Sequence, residues 1–204
     1  MTLLSLLLRG GILMYVLLLL SIAMLGIVIE KYHQFRCVKR DNQKLADLLQ
    51  EQTKLEGILG TIQEEPRKSP LGIMLQKLFF AKTDDEELIH QSMESAANLE
   101  LHRLEKGMGW LSTIAAIAPL IGFLGTVIGM VRVFMQIQAH SSAGVDISLL
   151  AGGIWEALLT TIGGLIVGII AIVFYNDLVQ KLENIVKDMQ ESGIEYIIRK
   201  KNLS

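Results

Sequence analysis

The chain is poor in the residues that build catalytic or disulfide-stapled proteins. Among its 204 residues it has one cysteine and three prolines. The lone Cys37 excludes an intrachain disulfide and a cysteine-based metal site, and it reads as a free cytoplasmic thiol. The four histidines, His33, His90, His102 and His140, stand at no ligand spacing, so no metal is expected. Lys and Arg number 19 against 21 Asp and Glu, for a net charge of −2. With no basic excess, a nucleic-acid partner is not expected. There is no P-loop, no G-x-S-x-G, no H-E-x-x-H and no paired-cysteine motif. That argues against an enzyme or an ATP-driven pump and implies no cofactor. Any energy must come from an ion gradient or a partner. No Gly/Ser linker divides the chain, and no repeat of solenoid period is visible.

What the chain has is apolar length. Hydrophobic residues make up 51%, gathered into runs that alternate with charged segments, the pattern of a multi-pass membrane protein. The first run is ILMYVLLLLSIAMLGIVI, residues 12–29. It ends in Glu30-Lys31-Tyr32-His33 with no small-residue cleavage site, so it is read as a retained span. The second is 110–135 and the third 147–175, each longer than the roughly 20 residues that cross about 30 Å of hydrocarbon. Lys31, Arg36, Lys39, Arg40 and Lys44 follow the first run, whereas the link between the second and third has neither Lys nor Arg. The positive-inside rule then makes 30–109 and 176–204 cytoplasmic, and places 1–11 and 136–146 on the outer side, the periplasmic side if the membrane is a bacterial inner one. The fold expected is an all-α membrane protein with three transmembrane helices, the second and third extending into a cytoplasmic helical region.

Within 30–109, Leu45, Leu48, Leu49, Leu55, Ile58 and Leu59 recur at helical spacing. Ser69-Pro70 reads as an N-cap followed by a first helical residue, and Thr83-Asp84-Asp85-Glu86 as a capping box. The helix begun there is expected to run through Leu104 into the second span without a break. Beyond Asp177, the spacing of Leu178, Leu182, Ile185 and Met189 carries a helix onward.

Two stripes of small residues stand out: Ala115, Ala118, Gly122, Gly125 and Gly129 in the second span, and Gly153, Ala157, Thr161, Gly164, Gly168 and Ala171 in the third. Small residues let membrane helices approach closely, so Gly122, Gly125, Gly129, Ala157, Gly164 and Gly168 are candidates for helix packing. Beside the third-span stripe lie Gly152, Glu156, Thr160 and Gly163. A charged side chain at the bilayer centre costs roughly 2.5–3.5 kcal/mol, so Glu156 should face a bundle interior or an aqueous cavity. Two roles stay open for it: a carboxyl bonding a neighbouring helix, or a group beside a proton or ion path. Thr126, Thr160 and Thr161 can each satisfy their hydroxyls on their own helix. Arg132, near the outer end of its span, is expected to snorkel to the surface. Pro119 is expected to kink or loosen the second span.

The runs APLIGFLGTVIGMVRVF and GGIWEALLTTIGGLIVGIIAIVFYN resemble the MotA/TolQ/ExbB proton-channel family, and IEKYHQF resembles its acid–base pair at the end of the first span. The resemblance is sharpest in A-P-x-x-G-x-x-G-T-V-x-G (118–129) and E-A-L-x-x-T-x-x-G (156–164), and three spans favour the ExbB/TolQ branch. It implies a homopentamer around a central pore in a bacterial inner membrane. It also implies a single-span ExbD/TolR-like partner with an intramembrane aspartate, and a TonB/TolA-like protein spanning the periplasm. Thr126 and Thr161 match the family's pore-lining threonines and Glu156 its third-span glutamate. Thr160 matches a position usually held by a small residue, so it and Pro119 stand as accessories. The implied role is to use the proton motive force to energise outer-membrane transport. Alternatives are a TolQ-like role in envelope integrity and a non-conducting membrane scaffold.

Overall fold

A computed structural model describes residues 11–50, 57, 60–62, 69–80, 86–139 and 147–203, and every described element is helical. Five helices carry the fold: α1 (Gly11–Gln50), α2 (Pro70–Phe79), α3 (Glu86–Glu105), α4 (Met108–Ala139) and α5 (Ile147–Leu203). Three of them, α1, α4 and α5, are long and apolar enough to cross a membrane. The chain is a multi-pass membrane protein. Leu55, Ile58, Leu59, the Thr83–Asp85 part of the capping box and His140 lie outside the described residues.

The chain divides into two compact units, Met1–Ile29 with Gly107–Asn176, and Glu30–Lys106 with Asp177–Ser204. The divisions fall where apolar runs give way to charge, at Ile29/Glu30 and Asn176/Asp177. Neither point breaks a helix, because a charged residue ends burial in lipid without ending an i→i−4 ladder. The first span therefore extends as a long helix too, which its apolar run did not signal.

In the first unit, α4 and α5 run antiparallel. Neighbours descend along α4 as they ascend along α5: Val133 at Gly153, Gly129 at Ala157, Gly125 at Thr160, Gly122 at Gly164 and Pro119 at Gly168. The approach is close. A Cβ on Gly164 would stand 2.5 Å from the Ala118 carbonyl oxygen and 2.8 Å from Gly122 Cα. Helix α1 runs parallel to α5, with Met14 and Leu17 over Gly163. Only 22%, 28% and 28% of the apolar windows of α1, α4 and α5 are buried within the chain. Most of their surface is left for lipid or other chains.

In the second unit, the buried face of α5 continues through Leu178, Leu182, Ile185, Met189, Gly193 and Tyr196, the spacing expected of one helix face. Leu45 and Leu49 are buried as their spacing suggests, but Leu48 is 45% exposed. Ser69 caps α2 by accepting from Gly72 N at 3.2 Å, with Pro70 in the first turn. Asn42 of α1 anchors this cap, its Oδ1 accepting from Ser69 Oγ at 2.6 Å and Leu71 N at 3.3 Å.

One expectation fails. Helices α3 and α4 do not merge, because α3 ends at Glu105 and α4 begins at Met108. Gly107 takes φ +94°, where a side chain is strained and glycine ends helices readily. Lys106 N still bonds His102 O at 3.2 Å, and Trp110 N bonds Gly107 O to begin the next helix.

Candidate functional site

The α4–α5 seam positions the candidate polar groups. Thr160 is 2% exposed, its Cβ 2.6 Å from where a Gly125 Cβ would sit. Its Oγ1 donates to Ala157 O at 2.7 Å, with Glu156 O at 3.4 Å. It fills the seam and turns to backbone, not to the Glu156 carboxyl four residues away. Thr161, placed on the stripe by spacing, is only partly buried, and its Oγ1 crosses the seam to Gly122 O at 2.9 Å. Adjacent positions on a helix differ by about 100°, so the buried stripe runs Ala157, Thr160, Gly164, Gly168, Ala171, with Thr161 at its edge. Thr126 is partly exposed and its Oγ1 donates back to Phe123 O at 2.6 Å.

Pro119 does not interrupt α4, which is helical on both sides of it. Its missing N–H leaves Ala115 O without the usual partner four residues on. Pro119 Cγ and Cδ stand 2.6 and 2.8 Å from a Cβ built on Gly168, and Ala115 O stands 3.2 Å from it. The absent side chain of Gly168 thus accommodates both the proline ring and the freed carbonyl.

Glu156 is not solitary. Arg132 Nη1 donates to its Oε1 at 3.2 Å, the side chains being 50% and 32% exposed respectively. The half-exposed Arg132 thus finds an opposite charge on the facing helix. Oε1 also occupies the space that a side chain on Gly11 would need. Gly11 begins α1 and stands one residue before the first apolar run. The pair therefore lies toward the end of the three-helix unit at which α1 begins, rather than at its middle. Thr160, four residues along α5, is one turn further in.

In the second unit, the sequence reading singled out IEKYHQF but not the partners that its Lys31 and Tyr32 find. Lys31, 4% exposed, donates to Gln34 Oε1 at 2.9 Å and to Leu104 O at 3.0 Å. It thereby satisfies a carbonyl at the C-terminus of α3, where a cation is favoured. Burial pulls its ammonium below the ordinary lysine value, and neighbouring Glu30 opposes this. Asp177 accepts from both Lys181 Nζ and Tyr32 Oη through one carboxylate oxygen, and Lys181 Nζ lies 4.8 Å from the Tyr32 ring centroid. The Lys181 bond, then the Tyr32 bond, holds the Asp177 carboxyl below its usual range. The bond to Asp177 raises both Tyr32 and Lys181. Lys31–Leu104 and Tyr32–Asp177 join residues 73 and 145 apart, and no local motif signals either.

Residues 64–191 match the model of the MotA/TolQ/ExbB proton channel family. The chain belongs to this family. The matched MotA/TolQ/ExbB segment includes Thr126, Arg132, Glu156, Thr160 and Thr161, and begins after Tyr32 and Lys31. Over 174 residues the chain is 33% identical to the putative biopolymer transport protein ExbB-like 1 of Synechocystis sp., covering 84% of this chain and 68% of that one. It is 29% identical over 169 residues to the ExbB-like 3 protein of the same organism, covering 82% and 80%. With the Tol-Pal system protein TolQ of Haemophilus influenzae it shares 36% identity over 98 residues, 48% of this chain and 42% of that one. These names place it in the ExbB/TolQ branch.

Proposed function

We propose that the chain is the pore-forming subunit of a proton-driven motor in a bacterial inner membrane, with its N-terminus periplasmic and its C-terminus cytoplasmic. Five copies surround a single-span ExbD/TolR-like partner whose intramembrane aspartate takes up and releases protons. The work passes through a TonB/TolA-like protein to energise outer-membrane transport. The observation that carries the reading is the family match over 64–191, because that segment contains every intramembrane polar group described above.

The geometry supports a division of labour. Thr126 keeps a partly exposed hydroxyl at the edge of the seam, able to turn to a partner. Thr161 reaches across the seam. Glu156, bonded to Arg132 at the outer end, is the group that exchanges charge with protons entering. The main proton carrier belongs to the partner, since no second acid lies within residues 110–135 or 147–175. One proton crossing 100 mV supplies about 2.3 kcal/mol.

The test is co-expression with the partner and a readout of energy-coupled uptake. Glu156→Ala and Thr161→Val should each lower it at least about tenfold at unchanged expression, which corresponds to about 1.4 kcal/mol. Full activity in either variant refutes the assignment of that residue. A subunit that purifies as a monomer with no single-span partner refutes the assembly.

A further inference from the structure

We infer that a cleft between α1 and α5 in the second unit binds the phosphate group of an anionic phospholipid. The cleft holds about 310 Å³ and has a buried apolar floor of Phe35 and Ile185. Its walls carry Tyr32, Arg36, Lys39, Lys181, Asn184 and Asp188. Lys181 is committed to Asp177. Arg36 and Lys39 have no hydrogen bond or ion pair among the described residues. Counting Asp177 and Asp188 against the three cations leaves one positive charge, concentrated on the α1 wall.

The position along the helices selects the occupant. Arg36 stands seven residues past Ile29, the end of the first apolar run, and Lys181 six past Tyr175. At about 1.5 Å per residue these are roughly 9–10 Å beyond the hydrocarbon edge. The headgroup layer occupies roughly the first 5–7 Å on each side. Both α1 and α5 emerge from their apolar runs in the N-to-C direction, so their Cα–Cβ bonds tilt back toward the membrane. Leaning that way, Arg36 and Lys181 bring their charged ends toward the headgroup layer, while Lys39, ten residues past Ile29, faces the same anion from the aqueous side. Basic pockets beside transmembrane helices suit anionic headgroups. Arg36 offers a planar fork to phosphate oxygens, Lys39 a point charge, and Asn184 a neutral group for the glycerol backbone. Asp188 lies seven residues beyond Lys181, at the wall farthest from the bilayer.

The experiment is native mass spectrometry of the full chain from nanodiscs of phosphatidylglycerol or phosphatidylcholine. The chain should retain phosphatidylglycerol in preference to phosphatidylcholine. Arg36→Gln with Lys39→Gln should lower that retention about tenfold. Lys44→Gln with Lys187→Gln, an equal charge change outside the cleft, should leave it within about twofold. Asp188→Asn, which removes the cleft's repulsive acid, should raise it about twofold. Equal loss in the cleft and control doubles, or no rise with Asp188→Asn, overturns the site. Titration of the delipidated chain with inorganic phosphate separates the two sources of the same chemistry. Weak or absent binding is expected, and binding as strong as that of the lipid overturns the lipid assignment.

Discussion

Two charged clusters bracket the uncharged stretch of α5 from Ala157 to Asn176, and they are built differently. Among the described residues, one cross-helix bond, to Arg132, holds the Glu156 carboxylate, which remains one-third exposed. At Asp177 one carboxylate oxygen is claimed by two donors, with an aromatic ring under the ammonium. Twenty residues separate them, about the length that crosses a bilayer. A carboxylate held by one bond can release it and be protonated without dismantling a network. One held by two donors that also contact each other is more firmly placed. The difference gives α5 one carboxylate held from a single neighbouring helix, at Glu156, and one held by two donors, at Asp177.

The sharpest way to break this contrast is to disturb the seam that aligns Glu156 with Arg132. Gly164→Val places a Cβ where Ala118 O and Gly122 Cα already stand, and backbone cannot move as a side-chain tip can. Overpacking costs about 1–3 kcal/mol, and contact with backbone puts this case at the upper end. Thermal unfolding in detergent should fall by several degrees. An unchanged midpoint would mean that the seam is looser than its distances. Gly152→Ala, with open space around it, is the matched control and should be neutral.

Next in size is Arg132→Gln. It removes that cross-helix bond while leaving the Asp177 cluster intact. A partly exposed pair contributes only about 0–1 kcal/mol, so stability should change little. Energy-coupled activity should fall several-fold, because the carboxylate loses its fixed position. Asp177→Asn should leave activity near normal. Equal loss of activity from both variants would erase the distinction between the two ends.

How much of this was legible in the sequence follows from the range of each interaction. The spans were legible because length and apolarity are local properties. The seam was legible because small residues recur at helical spacing on both partners. The choice between Thr160 and Thr161 was not, since adjacent polar residues on a helix fit almost the same stripe and only the facing glycine decides. The pairing of Arg132 with Glu156 was hidden by the unknown register of two antiparallel helices. Lys31 and Asp177 were hidden by distance along the chain. The break at Gly107 was missed because helical periodicity on both sides invites continuation, although a glycine between two helical stretches is the local signal for a stop.

The smallest expected effect concerns pH and tests the Asp177 cluster directly. Asp177 titrates below its ordinary value, chiefly because Lys181 and then Tyr32 bond its charged form. A lowered pKa contributes stability that is complete above the ordinary carboxylate value of about 3.8 and is lost as pH falls through the lowered value. Tyr32 and Lys181 titrate above their ordinary values, so their share is complete below about 10 and is lost as pH rises through the raised values. The cluster's contribution should therefore be flat from about pH 5 to pH 9 and fall away on either side. Asp177 and Lys181 are 39% and 43% exposed, so the amplitude is small. The check is the difference in unfolding midpoint between the unaltered chain and Asp177→Asn. That difference should be steady near neutrality and shrink below about pH 4. A gap that stays constant from pH 3 to pH 7 would show that the carboxylate's charge contributes nothing, and Asp177 would lose its standing as the more firmly held of the two carboxylates.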